Sequence, residues 1–136
     1  MGTIVVGYLP SPEGRAALQA GILEGRRRSA KVVVVNSHKG GAAFTRDDAK
    51  TNEAELSEVK RTLTEAGVEH EVRGLIRGQD APDDILDVVN EVSAELVVIG
   101  LRHRSPVGKL LLGSNAQRIL LESAAPVLAV KAAAAD

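Results

Sequence analysis

The stretch Leu96-Val97-Val98-Ile99-Gly100, the loop Leu101 to Leu112, and then Gly113-Ser114 carry the clearest structural signal in this chain. An apolar, β-branched run ends in glycine, a loop rich in glycine and basic residues follows, and Gly113-Ser114 opens a helix. The first amides of a helix lack intrahelical partners and the helix dipole favours an anion there. A strand, a glycine loop and a helix start therefore form an arrangement that holds phosphate in α/β proteins. Gly100, Gly108 and Gly113 are expected to let the backbone turn with positive φ and approach a ligand closely. Arg102, His103, Arg104 and Lys109 bring positive or titratable charge to the same loop. The spacing is neither a Walker A loop, since no Gly-Lys-[Ser/Thr] follows, nor the dinucleotide G-x-G-x-x-G. An ordinary strand-to-helix connection with a solvated basic loop would read the same way.

Outward from this stretch, Ile4-Val5-Val6, Val32-Val33-Val34-Val35 and Val127-Leu128-Ala129-Val130 repeat the apolar pattern. Strands apolar on both faces belong to parallel sheets covered by helices on each side. The intervening segments read as helices. Ser11 is placed as an N-cap with Pro12 at the first helical position, and the helix is expected to run to about Arg28, with Leu18, Gly21, Ile22 and Gly25 on one face. A second helix is expected from Arg46 or Asp47 to Ala66, with Gly67 ending it and Leu56, Val59, Leu63 and Ala66 buried. Val68 to Arg73 alternates apolar and charged residues, which suits an edge strand. Pro82 opens a third helix carrying Ile85, Val88, Val89 and Val92. Ser114 and Gln117 match a capping box that starts the fourth. The order βαβαβαβαβ implies one doubly wound α/β domain over residues 1–136: a five-stranded parallel sheet with four helices on two faces.

Composition narrows the function. A net charge of −1 gives no electrostatic reason to expect nucleic acid or an anionic membrane, and only Tyr8 and Phe44 are aromatic, too few for a base-stacking platform. Cysteine is absent, which removes disulfides, thiol catalysis and thiolate metal sites. No apolar run approaches the roughly 20 residues of a membrane span. Met1-Gly2-Thr3 leads straight into a strand, so a cytoplasmic protein is expected.

In open parallel sheets, ligands bind at the carboxyl ends of the strands where the strand order reverses. Right-handed crossovers make the first and fourth strands neighbours in the order 3-2-1-4-5. The loops Tyr8 to Pro12 and Leu101 to Gly113 then meet in one crevice, with Val35-Asn36-Ser37-His38 as a wall.

Gly100, then position 103, then Gly113-Ser114 resembles the G-x2-G-x9-G-[ST] signature of universal stress proteins. The opening Ile4-Val5-Val6-Gly7, Ser11 before the first helix and the closing Ala125-Pro126-Val127-Leu128-Ala129-Val130 are similar to that family too. The resemblance covers essentially the whole chain. It implies the 3-2-1-4-5 sheet, a homodimer through the last strand, and a site for ATP or AMP, with magnesium accompanying ATP. Gly7, Leu9, Ser11, Val35, Gly100, Arg102, His103, Gly113, Ser114 and Asn115 are the implied nucleotide-binding positions. The chain departs from the family pattern at His103, where Gly is expected, at Leu9, where an Asp stands, at Pro10 for Gly, and at Ala116 for a hydroxyl residue. A side chain at 103 and a missing carboxylate at 9 predict modest affinity for ATP.

Three functions compete. The first is a small nucleotide-binding regulatory protein of the stress response; the second is a family member acting through dimerisation and protein partners without nucleotide. The third, a hydrolase or phosphotransferase, lacks a readable nucleophile–base pair, metal cluster or Walker-type Lys, so any ATP hydrolysis is expected to be slow and incidental. His38 and His70 lack a metal-ligand partner at useful spacing and are expected on the surface. Glu13, Asp83 and Asp84 read as first-turn helix residues, and Asp80 lies near the crevice. Arg26-Arg27-Arg28 complements the dipole at a helix end.

Overall fold

The computed structural model describes residues 2–8, 12–101 and 113–132. Along the chain run β1 (Thr3–Gly7), α1 (Pro12–Arg28), β2 (Lys31–His38), α2 (Arg46–Ala66) and β3 (His70–Ile76), then α3 (Ala81–Val92), β4 (Leu96–Leu101), α4 (Ser114–Glu122) and β5 (Val127–Lys131). The sheet order is β3-β2-β1-β4-β5 and all pairs are parallel. The strand order therefore reverses between β1 and β4, where Val5 pairs with Val97 and Val6 with Val98.

Strand alternation sorts the core into two layers. Ile4, Val6, Val32, Val34, Leu96 and Val98 face α1 and α2 and pack with Leu18, Ile22, Val59 and Leu63. Val5, Val33, Val35, Val97 and Ile99 face α3 and α4 and pack with Ile85, Val88, Val89 and Ile119. Each such side chain contributes on the order of 1.5–3 kcal/mol by leaving water, so the β-branched runs drive both layers together. Gly21 and Gly25 have the role expected of them: a Cβ at Gly21 would collide with Val6, and one at Gly25 would lie 2.7 Å from Val32 Cγ2. In α2, Val59 and Leu63 are buried, while Leu56 and Ala66 are half-buried.

The helix ends differ from expectation at two places. α3 begins one residue earlier than Pro82, with Asp80 as N-cap and Ala81 first in the helix. The capping box expected at Ser114 and Gln117 is not formed. Gly113 takes the cap position with φ −64°, no side chain caps the helix, and Ser114 is already its first turn. A complete capping box stands instead at α2, where Thr45 Oγ1 accepts from the Asp48 amide and Asp48 accepts from the Thr45 amide. Gly67 ends α2 in the left-handed region at φ 74°, as expected.

Candidate functional site

Five elements converge on a crevice at the carboxyl edge of the sheet. β1 supplies Gly7 and leads to Tyr8, β2 supplies Val35 and Ser37, and β4 supplies Ile99 and Gly100. α3 adds Ala81 and Ile85; α4 adds Asn115, Ala116 and Ile119. The enclosed space between these walls is small, about 70 Å³, and it opens outward to solvent. It lies where β1 and β4 part, the place expected from topology.

The two helical walls are tied together. Arg118 of α4 donates to Asp83 of α3 at 2.8 Å and to Glu122 at 3.1 Å. The guanidinium holds the Asp83 carboxyl below its ordinary range. Arg118 is next to Ile119 on α4 and Asp83 is two residues from Ile85 on α3, so the pair bridges the two helical walls at their exposed side.

Gly7, Val35, Gly100 and Asn115 all line the crevice, so the structure brings these four expected site residues together. Gly113 and Ser114 begin the adjoining helix; no described residue crowds Gly113, and Ser114 is exposed. Leu9, Ser11, Arg102 and His103 lie outside the described residues, as do Gly108, Arg104 and Lys109. The expected positive φ is found at neither Gly100 nor Gly113. The positive-φ glycines among the described residues are Gly40, Gly41, Gly67 and Gly78. Gly100 is instead required by packing, because a Cβ there would run into the carbonyl of Glu13 at the start of α1. Gly7 is less constrained: Ile85 Cδ1 lies 2.9 Å from where its Cβ would stand, and that side-chain end can rotate away.

Two polar groups near the crevice were not anticipated in their roles. Asp84, expected as an ordinary first-turn acid, is completely buried. Its Oδ2 accepts from Ser37 Oγ at 2.5 Å, and its Oδ1 accepts from Arg77 Nε and Nη2 at 3.0 and 2.8 Å. The Asp84 carboxylate in turn holds the Arg77 guanidinium above its ordinary value. The partners are 47 and 7 residues from Asp84 in sequence, and the longer link forms only once β2 and α3 pack. Tyr8 donates to Glu55 of α2 at 3.1 Å, and burial, then Glu55, pushes its phenol up to about 12. That hydroxyl is thus committed to the α2 layer.

His38 and His70 are half-buried rather than on the surface. His38 Nε2 lies 3.0 Å from Asn52 Oδ1 and its ring packs 5.0 Å from Phe44, while His70 Nδ1 lies 2.9 Å from the Val68 carbonyl. Asn36 is fully buried, and its amide finds no hydrogen-bond partner among the described residues. It alternates with Val35 and Ser37 and so shares the sheet face of Val32 and Val34, opposite to those two crevice residues. Asp80 pairs with Lys39 at 3.6 Å at an exposed edge. Among the described residues no three His, Cys, Asp or Glu side chains gather as a metal site, and no helix is long and apolar enough to cross a membrane.

A doubly wound α/β sheet of order 3-2-1-4-5, with an apolar crevice at its switch point and a helix N-terminus beside it, defines the class of fold to which the chain belongs. A sequence profile of the universal stress protein family matches residues 1–131, and the chain belongs to that family. It is 48% identical to a universal stress protein of Mycolicibacterium smegmatis over 128 residues, covering 94% of this chain and 96% of that one. A universal stress protein structure from Archaeoglobus fulgidus superposes with a TM-score of 0.86 at 36% identity, covering 96% of this chain and 99% of the other. A structure from the same organism in complex with dAMP superposes with a TM-score of 0.80 at 32% identity, covering 96% and 98%.

Proposed function

We propose that this chain acts as a single cytoplasmic domain that binds an adenine nucleotide, AMP or ATP, as a regulatory protein of the stress response. The observation that carries the reading is the crevice itself, where Gly7, Val35, Gly100 and Asn115 meet at the reversal of strand order. Val35, Ile85, Ile99 and Ile119 offer apolar walls suited to a planar base. The unpaired first amides of α4, behind Gly113, offer a place for phosphate, with the Ser114 hydroxyl free of any capping role. The dAMP complex of the archaeal relative supports an adenine nucleotide as the ligand. The role is binding, with any ATP hydrolysis slow and incidental and magnesium entering only with ATP. Calorimetric titration with ATP, ADP and AMP, with and without magnesium, tests the reading. Saturable heat with at least one of them is expected, and no heat with any would overturn it.

A second reading, action as a homodimer through protein partners, draws on the open edge of the sheet. β5 is an edge strand whose residues Val127 to Val130 are only half-buried, and Leu121 on the neighbouring α4 is 77% exposed. Apolar edges of this kind invite pairing. Light scattering at micromolar concentration is expected to give twice the 14.3 kDa chain mass; the mass of a single chain would remove this reading.

A further inference from the structure

Ser37 lines the crevice and is 8% exposed, and its hydroxyl is not free to choose a partner. It donates to Asp84 Oδ2 at 2.5 Å. A hydroxyl carries one hydrogen and two acceptor lone pairs. Once the hydrogen is given to Asp84, only acceptor capacity is left for the crevice. Arg77 supports this direction: a guanidinium has no acceptor, and here it donates twice to the other oxygen of the same carboxylate. Asp84 is fully buried, so the orientation is built into the fold and not chosen at a wet surface.

Of the other described crevice residues with polar side chains, Tyr8 has its hydroxyl bonded to Glu55, and Asn115 is exposed at the start of α4. The neighbours Val35, Ile85 and Ile99 are apolar. An acceptor backed by a carboxylate is a poor partner for phosphate and a good one for an N–H group.

We propose that Ser37, oriented by Asp84 and Arg77, is the residue that reads the base of the bound nucleotide. It accepts from an exocyclic amine, and so selects adenine over purines with no amine at that position. The proposal rests on the nucleotide reading above. It names a side chain for base choice where the sequence signature concerns only the phosphate side of the site.

The test titrates the full chain with three ligands: AMP, purine riboside monophosphate (the same nucleotide with hydrogen in place of the amine) and inosine monophosphate (a carbonyl in its place). Wild type is expected to prefer AMP to purine riboside monophosphate about tenfold, the scale of one buried hydrogen bond. Ser37→Ala is expected to lower AMP to the level of purine riboside monophosphate and to leave the latter unchanged. Asp84→Asn supplies an amide that can donate to Ser37 and release its hydrogen towards the crevice. In that variant inosine monophosphate is expected to gain on AMP. Denaturant midpoints check that each variant folds, and if Asp84→Asn does not, Ser37→Ala alone decides. AMP binding without discrimination in wild type, or discrimination that survives Ser37→Ala, overturns the role of Ser37 and leaves nucleotide binding standing. No binding of any of the three overturns both.

Discussion

Gly100 of β4 lies directly against the Glu13 carbonyl of α1, so that the end of the strand and the first turn of the helix leave no room for a side chain. The glycine that opens the phosphate signature is thus held by packing within the chain as well as by its place in the crevice. Gly100→Ala must push α1 off β4, since the obstacle is backbone and cannot rotate away. It is expected to cost about 1–3 kcal/mol, the range of overpacked sites, read as a lower urea midpoint with an unchanged slope. An unchanged midpoint would show that α1 can shift freely.

The two candidate caps are expected to behave in opposite ways. Thr45→Ala breaks the reciprocal bonds with Asp48 and should cost about 1 kcal/mol. Ser114→Ala removes an exposed side chain that makes no cap bond and should cost less than about 0.5 kcal/mol. Urea melts of the two variants check this; a larger loss for Ser114→Ala would return the cap to Ser114.

The sole tyrosine of the chain makes its ionisation directly readable. Burial and the Glu55 carboxylate raise the Tyr8 phenol to about 12 from an ordinary value near 10. The folded state therefore keeps its proton where the unfolded chain has lost it. The stability it contributes is present in full below about pH 10 and is lost as pH rises from about 10 to about 12. Absorbance of the phenolate should show a midpoint near 12 in the folded protein, and Glu55→Gln should lower it. A midpoint near 10 in folded protein would contradict the buried Tyr8–Glu55 pair.

How legible the molecule was from sequence depends on the range of the interaction. The β-branched runs at Val32–Val35 and Leu96–Ile99 announce two-faced strands of a parallel sheet, while the order 3-2-1-4-5 came with the family resemblance, since handedness alone allows other orders. The crevice walls at Gly7, Val35, Gly100 and Asn115 were reachable because topology brings the carboxyl ends of β1, β2 and β4 together. The cap at Thr45 escaped because its third residue is Asp48 and not the Glu or Gln of the usual pattern, while Ser114 and Gln117 match that pattern unused. Asp84 escaped because an acid early in a helix is normally solvated, and its partner Ser37 lies 47 residues away. Gly100 was recognised, but its reason was not: the Glu13 carbonyl it accommodates is set by helix–sheet packing that leaves no local mark.

The central claim is that the crevice between β1, β4 and α4 is where the nucleotide sits, and Ala116 offers the most direct access to it. Ala116 lines the crevice from the first turn of α4 and is half-buried against the layer of Ile85, Ile99 and Ile119, so Ala116→Phe places a ring in the crevice beside the amides assigned to phosphate. Calorimetric titration of wild type and Ala116→Phe with AMP is the decisive measurement. One saturable site per chain in wild type, lost in a variant with an unchanged urea midpoint, is the predicted result. AMP binding of undiminished strength in Ala116→Phe would place the ligand elsewhere and contradict the account.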